Sequence, residues 1–267
     1  MTFSETAWRV IGASVTGTSH LHTGRGCDDA HAYRVHEHEL LLMAAADGAG
    51  SAVRSALGAE VAVQAALDTA EYILNQQIEP ASYDEWLSVL RLILTAAHDG
   101  LEQLAGEASV APDFTESEPE NSTVLSDYAT TLLIAIVTAQ WLACVQIGDG
   151  AIVIQQATGS ATSLTPRHNG GYINETSFLT ESCYLSEAHY TLLPRDDIQG
   201  IALLTDGLQL LAMNFPENTP HQPFFTPLFK FAASPEATAE ELEQFLASER
   251  ICSRTDDDKT LVLAVNT

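Results

Sequence analysis

Short apolar runs of strand length recur along the 267-residue chain, separated by polar and glycine-containing segments. Runs of this length with β-branched and aromatic residues favour β-strands. Three of them follow one another closely near the middle of the chain, and we expect these three to form a meander. The predicted strands are WRVIGASVT, AHAYRV, ELLLMAAAD, then the meander YATTLLIAIVT, WLACVQI and AIVIQQ, and finally IALLT and TLVLAV.

Longer segments with helical spacing lie between the strands. The alanine-rich segment ALGAEVAVQAALDTAEYILNQ predicts a packed helix after Gly48. A second helix is predicted from about Ser82 to His98, ending at Asp99-Gly100, because glycine readily adopts the left-handed conformation that follows a helix. The segments LQLLAMN, PFFTPLFKFA and ATAEELEQFLASE predict three further helices.

Strands cluster at both ends of the chain around the helices, which is typical of an α+β fold. The length and the supply of apolar segments suit one domain over residues 1–267. Three segments read as irregular: a loop over 17–26, an acidic loop near 106–126, and a second irregular region near 158–199. No internal repeat is evident.

The net charge of the chain excludes some classes of binding partner. The formal net charge is −25, with 36 Asp and Glu against 11 Lys and Arg. Such a surface repels phosphate backbones and anionic lipids, so we expect no nucleic-acid or membrane partner, and cations are the natural ligands. Residues 128–148 carry no charge, but their threonines, glutamines and β-branched residues fit two strands better than a membrane span. We expect a monomer.

The four cysteines are Cys27, Cys144, Cys183 and Cys252, and none forms a C-x-x-C pair. A thiolate zinc site is therefore not expected. The N-terminus has no secretory signal pattern, which favours reduced cysteines in a cytoplasmic protein.

Carboxylates follow or precede several of the buried strands. Asp47-Gly48, Asp149-Gly150 and Asp206-Gly207 each follow an uncharged run, and the acidic tract Asp256, Asp257, Asp258 precedes the last strand. A buried carboxylate is costly unless a cation faces it. Converging carboxylate oxygens without a nearby histidine pair predict magnesium or manganese.

A set of motifs carries a family resemblance. CDDAHAY, AAADGAGSAVRSALGA, ATTLLIA, IGDGAIV, LLTDGL and DDDKTLVLAV occur in this order over residues 12 to 265. In order and separation they resemble the metal-dependent serine/threonine protein phosphatases, the type 2C or PPM family, and NETSFLT resembles a bacterial branch. The resemblance implies a β-sandwich of two antiparallel sheets flanked on both sides by helices, with metals at one edge.

The resemblance also implies roles for individual residues around two magnesium or manganese ions. Asp47 matches the bridging ligand, Gly48 the glycine whose carbonyl binds the second ion, and Asp206 the ligand of the TDG motif. Asp257 matches the final ligand, with Asp258 as the alternative register. Asp28 and Asp29 match an acidic pair that holds metal-bound water, and Asp149 matches an aspartate that helps to bind a third ion.

The chain departs from the family pattern at two functional positions. The phosphate-binding arginine is expected where Gly24 stands, so the adjacent Arg25 becomes the candidate. A histidine after the Asp-Gly step acts as general acid in some members, but Ala49 stands there, so protonation of the leaving group would fall to water, with His22 as the alternative donor. The region near 158–199 occupies the place of the family's flap, where Asn174 and Thr176 either shape substrate access or pack within the loop.

Two functions follow from these features. The first is a phosphatase that hydrolyses phosphoserine and phosphothreonine in proteins, with a metal-bridging water as the nucleophile. The alternative is a non-catalytic relative that binds phosphoproteins or regulates them. The displaced arginine favours the alternative, whereas the retained Asp47, Asp206 and Asp257 oppose it. The hydroxyls of Thr130 and Thr131 are expected to satisfy strand hydrogen bonds.

Overall fold

Two five-stranded antiparallel sheets form the centre of the computed structural model, which describes residues 8–36, 39–76, 79–110, 124–165 and 176–267. The first sheet has the order β1-β12-β9-β6-β7 and the second β2-β3-β4-β5-β8. Their strands are β1 (Trp8–Val15), β2 (Ala30–Val35), β3 (Leu41–Ala46), β4 (Leu132–Val137), β5 (Trp141–Ile147), β6 (Ala151–Gln156), β7 (Ala161–Ser163), β8 (His189–Pro194), β9 (Ile198–Leu204) and β12 (Lys259–Asn266). A separate hairpin joins β10 (Met213–Asn214) and β11 (Thr219–Pro220).

Helices cover the outer faces of both sheets. α2 and α3 pack on the second sheet, and α6 and α7 pack on the first. The helices are α1 (Thr18–Thr23), α2 (Ser55–Leu74), α3 (Tyr83–Val110), α4 (Tyr184–Glu187), α5 (Gln209–Ala212), α6 (Gln222–Ala232), α7 (Ala239–Leu246) and α8 (Glu249–Cys252), with 3-10 turns at Leu125–Tyr128 and Asp206–Leu208. The predicted α+β sandwich with helices on both sides is confirmed.

The sheets are buried on both faces, which explains why their sequences show runs instead of alternation. All six residues of β3 are buried. Leu41 and Met43 point into the layer between the two sheets, whereas Leu42 and Ala44 point into the layer beneath α2 and α3. One strand thus contributes to two hydrophobic layers. This packing on both faces fixes the strands whose ends carry the charged residues.

The meander prediction was wrong for its third strand. β6 does not pair with β5; it lies in the first sheet, between β9 and β7. The chain changes sheets at Gly148, whose φ of 100° belongs to the left-handed region that glycine tolerates. This crossing carries Asp149 to the edge shared by the two sheets.

The predicted helix end at Asp99-Gly100 was also wrong. α3 continues through these residues to Val110. Gly100 faces Val61 and Ala65 of α2, so its small size serves close helix packing instead of a cap.

Three segments predicted to be irregular contain regular structure. The loop over 17–26 holds α1, and the first residues of the acidic loop, 106–110, belong to α3. The region near 158–199 contains β7, α4 and β8, and β8 forms the edge of the second sheet by pairing with β5. Residues 111–123 and 166–175 lie outside the described ranges. In the described part of the chain, the helices are all too short or too polar to span a membrane.

Candidate metal centre and active site

The strand register brings the acidic residues to one edge of the sandwich. In the first sheet the start of β6 and the start of β12 both lie beside the end of β9, at Leu204. In the second sheet the start of β2 lies beside the end of β3, through the pair Ala30 and Ala46. Residues just outside these positions therefore meet, although they are far apart in the chain. They are Asp28, Asp29, Asp47, Asp149, Asp206, Asp257 and Asp258.

A cavity of about 140 Å³ opens at this edge. The predicted ligands Asp47, Gly48, Asp149, Asp206 and Asp257 all line it. One carboxylate oxygen from each of Asp47, Asp149 and Asp206 lies within 4.8 Å of the others. The structure thus brings together every residue that the sequence predicted as a metal ligand.

Burial and mutual repulsion make this cluster unfavourable as a set of free carboxylates. The pKa of Asp47 is raised to about 12, first by burial and then by the nearby charges of Asp29 and Asp206. Burial also raises the pKa of Asp206 to about 6 and that of Asp29 to about 7. One buried oxygen of each, Asp206 Oδ1 and Asp29 Oδ1, has no hydrogen-bond partner among the described residues. An all-oxygen set of this charge suits a hard divalent cation.

The backbone of Asp47 is held from the start of β4. Thr131 N donates to Asp47 O at 2.8 Å, and Thr130 Oγ donates to the same oxygen at 2.9 Å. Asp47 N in turn donates to Thr131 Oγ at 2.9 Å. Both threonine hydroxyls thus make the strand-end hydrogen bonds expected of them, and Thr131 also lines the cavity.

The structure distinguishes Asp257 from Asp258. The carboxylate of Asp258 is 2% exposed and accepts hydrogen bonds from Gly17 N at 2.6 Å and from Asp28 N at 2.5 Å, while His20 Nδ1 lies 3.0 Å from it. Asp257 is exposed toward the cavity. Both residues line the cavity, but Asp258 holds backbone N–H groups of two distant segments, whereas Asp257 Oδ1 accepts from the adjacent Asp258 N at 2.9 Å.

The acidic pair sits behind the cavity. Asp29 Oδ2 accepts a hydrogen bond from Thr205 Oγ at 2.7 Å, and its carboxylate also contacts Asp47. Asp28 Oδ2 accepts from Ser55 Oγ at 3.0 Å. Neither aspartate lines the cavity itself. Asp29 is in contact with the cluster, whereas Asp28 connects the cluster to the start of α2.

Arg25, the candidate phosphate ligand, lies beside the turn that follows Asp47. Its guanidinium pairs with Asp28 at 2.5 Å and donates to Gly50 O, Ala52 O and Ser55 Oγ at 2.8–3.0 Å. It does not line the acidic cavity. In this arrangement the two terminal nitrogens of Arg25 hold Asp28 and the turn that follows Asp47.

We expect Arg25→Ala to act on stability more than on substrate affinity. Asp28 is 4% exposed and would lose its cation, while Arg25 is partly exposed. The loss should fall between the values for exposed and buried ion pairs, at about 2 kcal/mol in the free energy of unfolding measured with urea. Arg9→Ala serves as a control, since Arg9 donates only to the carbonyls of Pro235 and Ala237. A large rise in KM at unchanged stability would instead restore the phosphate-binding role.

The flap-like region reaches the cavity through its described end. Thr176 Oγ donates to Asp149 Oδ2 at 2.5 Å, and Phe178 also lines the cavity. Leu179 N donates to Thr130 O at 2.8 Å, which ties this segment to β4. Thr176 thus lies where access was predicted, and Asn174 lies outside the described residues.

One cavity residue escaped sequence reasoning. His22, the suggested substitute proton donor, is exposed and does not line the cavity. His20 does line it, from the same helix α1. No local signal marks His20, since its partner Asp258 is 238 positions away in the chain.

Comparison with known sequences points to one family. The family model for protein phosphatase 2C matches residues 16–247. The chain is also 34% identical over 270 residues to serine/threonine-protein phosphatase 3 of Escherichia coli (strain K12), with 97% of this chain and 98% of that protein covered. Both matches span the residues that line the acidic cavity, up to Asp206 in the family model.

Solved structures share the fold. The serine/threonine phosphatase Stp1 from Staphylococcus aureus superposes with a TM-score of 0.63 at 14% identity, covering 100% of this chain and 99% of that chain. The catalytic domain of the phosphatase PstP, in complex with two manganese ions, superposes with a TM-score of 0.56 at 19% identity, covering 97% and 98%. At these identities the likeness concerns the architecture.

The sequence matches carry the family assignment, because they extend over most of the chain. The solved structures agree with it in the two-sheet architecture. The motif resemblance found in the sequence is thereby confirmed. The chain belongs to the protein phosphatase 2C family.

Proposed function

We propose that this protein is a magnesium- or manganese-dependent phosphatase that hydrolyses phosphoserine and phosphothreonine in proteins. The observation that carries the proposal is the cluster Asp47, Asp149 and Asp206 in a cavity at the shared edge of the two sheets. The family membership and the Escherichia coli relative, which is named a serine/threonine-protein phosphatase, support the same reaction.

The residues present fit two divalent cations. The donor set is entirely oxygen, and burial and neighbouring carboxylates raise the pKa values of Asp47 and Asp206. Asp206 Oδ1 lacks a hydrogen-bond partner in the described part of the chain. We assign Asp47, the Gly48 carbonyl, Asp206 and Asp257 to the two ions, and Asp149 to a third. When bound, such ions offset the negative charge of the phosphoryl oxygens and lower the pKa of bound water to near neutral.

The remaining groups of the site orient and enclose the reactants. Asp29 Oδ1 is free to accept a hydrogen bond from an ordered water, while Thr205 holds the other oxygen of the same carboxylate. Asp28 accepts a hydrogen bond from Ser55 and pairs with Arg25, and these contacts hold the turn after Gly48. Phe178 provides an apolar wall that limits access of bulk water to the cavity.

The proposal is tested by phosphate release from phosphoserine and phosphothreonine peptides. We expect turnover with manganese or magnesium and none after chelation, and a phosphotyrosine peptide serves as the comparison substrate. Titration calorimetry with manganese alone measures ion binding separately. If the protein binds manganese but cleaves neither peptide, the non-catalytic phosphoprotein-binding alternative replaces the phosphatase.

Further expectations from the sequence accompany this proposal. We treat residues 1–267 as one catalytic domain, supported by the contribution of both sheets to one cavity. A phosphorylated protein is the proposed partner. A cytoplasmic location is supported by the four cysteines, all of which are unpaired.

A further inference from the structure

His20 is fixed at the mouth of the acidic cavity by the docking of α1 onto the loop before β12. Gly17 N donates to Asp258 Oδ1 at 2.6 Å, and Ser19 N and Oγ donate to Asp256 O at 3.0 and 2.7 Å. These bonds place the first turn of α1 against the acidic tract. His20 follows directly and lines the cavity together with Asp47, Asp149, Asp206 and Asp257.

Hydrogen bonding determines which nitrogen of His20 carries a proton. His20 Nδ1 lies 3.0 Å from Asp258 Oδ2, and this carboxylate already accepts two backbone N–H groups. An ionised carboxylate only accepts hydrogen bonds, so Nδ1 must donate. No described residue forms a hydrogen bond with Nε2, and Nε2 is not one of the buried polar atoms that lack a hydrogen-bond partner. A buried aspartate therefore orients an imidazole whose second nitrogen is open.

Several carboxylates lie around His20. One oxygen from each of Asp28 and Asp258 lies within 4.8 Å of the imidazole nitrogen. Arg25 stands behind Asp28 and is paired with it. The further charged groups facing His20 across the cavity are Asp47, Asp149, Asp206 and Asp257.

The cavity has few other proton donors. Position 49, directly after Asp47-Gly48, is alanine. Of the described residues that line the cavity, Thr131 and Thr176 offer hydroxyls, which are poor acids, and His20 alone offers an imidazole. A departing serine or threonine oxygen leaves as an alkoxide unless a proton reaches it in the transition state.

We propose that His20 is the general acid of the proposed phosphatase reaction and that Asp258 is its positioning residue. This inference rests on the proposed function. The oxygen of water forms a bond to phosphorus, and the bond between phosphorus and the seryl or threonyl oxygen breaks. The electron pair of that bond stays on the departing oxygen, which takes the proton from His20 Nε2. The water releases one proton to solvent, and His20 is reprotonated from solvent.

The dependence of the rate on the leaving group tests this role. Phenyl phosphate and p-nitrophenyl phosphate have similar size, but phenolate is the more basic leaving group and needs a proton more. His20→Gln should lower kcat for phenyl phosphate and for a phosphothreonine peptide by about 10²-fold, and kcat for p-nitrophenyl phosphate by less than about 3-fold. Simple damage to the site would lower all three rates together.

His22→Gln provides the matched control. It makes the same substitution in the same helix, on an exposed residue that does not line the cavity, so all three rates should stay unchanged. If wild type cleaves none of the substrates, the proposed function fails. If wild type is active and His20→Gln lowers the three rates equally, or none of them, the general-acid role is overturned and the phosphatase stands.

Asp258→Asn tests the positioning role. Loss of the carboxylate weakens the hold on His20 Nδ1, so the ratio of the phenyl to the p-nitrophenyl rate should fall in the same direction as in His20→Gln. In the His20→Gln background the same change should leave this ratio unaltered, because the group it orients is already gone. A further fall of the ratio in the double variant would contradict the coupling.

Discussion

The Asp206→Asn variant is expected to lose hydrolysis of a phosphothreonine peptide by at least about 10³-fold, since the assigned ions supply several kcal/mol of transition-state stabilisation. Asp206 follows β9 at the shared edge and reaches the same space as Asp47 and Asp149. An amide has a similar shape but contributes no charge. The rate of phosphate release and the manganese affinity measured by calorimetry on the same preparation should therefore both fall.

The same variant should gain stability in the absence of metal. At pH 8 the carboxylate of Asp206 is repelled by Asp149 and Asp257 and is partly buried, as its raised pKa shows. Removing this charge should increase the free energy of unfolding by about 1 kcal/mol or more in metal-free buffer. A loss of activity combined with a gain in stability is the signature of a charge retained for ion binding.

Asp196→Asn is the control for this experiment, because Asp196 is exposed on the turn between β8 and β9. It should change neither activity nor stability appreciably. The assignment of Asp206 would be wrong if Asp206→Asn kept activity within about tenfold of wild type, given what a lost ligand normally costs. Unchanged manganese affinity would count against it equally.

The metal-free protein is expected to become less stable as the pH rises from 5 to 8. The folded-state pKa values of Asp206, Asp29 and Asp47 are raised to about 6, about 7 and about 12, mainly by burial. A carboxyl with a raised pKa stabilises the fold while it is protonated, and this stabilisation is lost as the pH rises toward and through the folded-state value. Urea unfolding should show a loss of at least about 2 kcal/mol over this range.

Divalent cations should reverse this trend. Manganese or magnesium competes with protons for the same carboxylates, so the stabilisation by the ion should be larger at pH 8 than at pH 5. Repeating the series at high salt screens the net charge of −25 on the surface but leaves the buried cluster largely unscreened. A metal-free stability that is flat or rises between pH 5 and 8 at high salt would contradict the assignment.

Much of the site was predictable because strand ends carry it. An uninterrupted apolar run such as LLMAAA is a strand buried on both faces, and the next residue must leave the core. Asp47 and Asp206 stand at such points, and so do the residues just before β6 and β12. Carboxylates at several strand ends become one cluster whenever those ends share an edge, which antiparallel pairing arranges here.

Other parts depended on contacts between distant segments. Asp99-Gly100 carries the local pattern of a helix end, but packing of α3 against α2 extends the helix past it. AIVIQQ follows WLACVQI closely, yet the turn at Gly148 sends β6 into the other sheet. Burial in the tertiary structure outweighs local secondary-structure propensity, and this propensity does not indicate which of two sheets a strand joins.

The contacts of Arg25 and His20 could be found only from the tertiary structure. The motif places Arg25 one step from the position of a phosphate ligand, while in the fold it pairs with Asp28 and donates to three groups in the segment after Asp47. His20 has no motif, and only the docking of α1 onto the loop before β12 brings it to Asp258.

The sequence by itself determined the α+β class and the acidic residues at the strand ends, because apolar runs and the charges at their ends are local properties. The family and the two-sheet sandwich followed from the resemblance of its ordered motifs. Our choice of Asp257 over Asp258 as the proposed ligand rests on the fold. These neighbours have the same chemistry and both line the cavity, but Gly17 N and Asp28 N donate to Asp258, which is buried, while Asp257 is exposed. The hydrogen bonds that distinguish the two carboxylates come from residues more than two hundred positions away, and no local pattern encodes them.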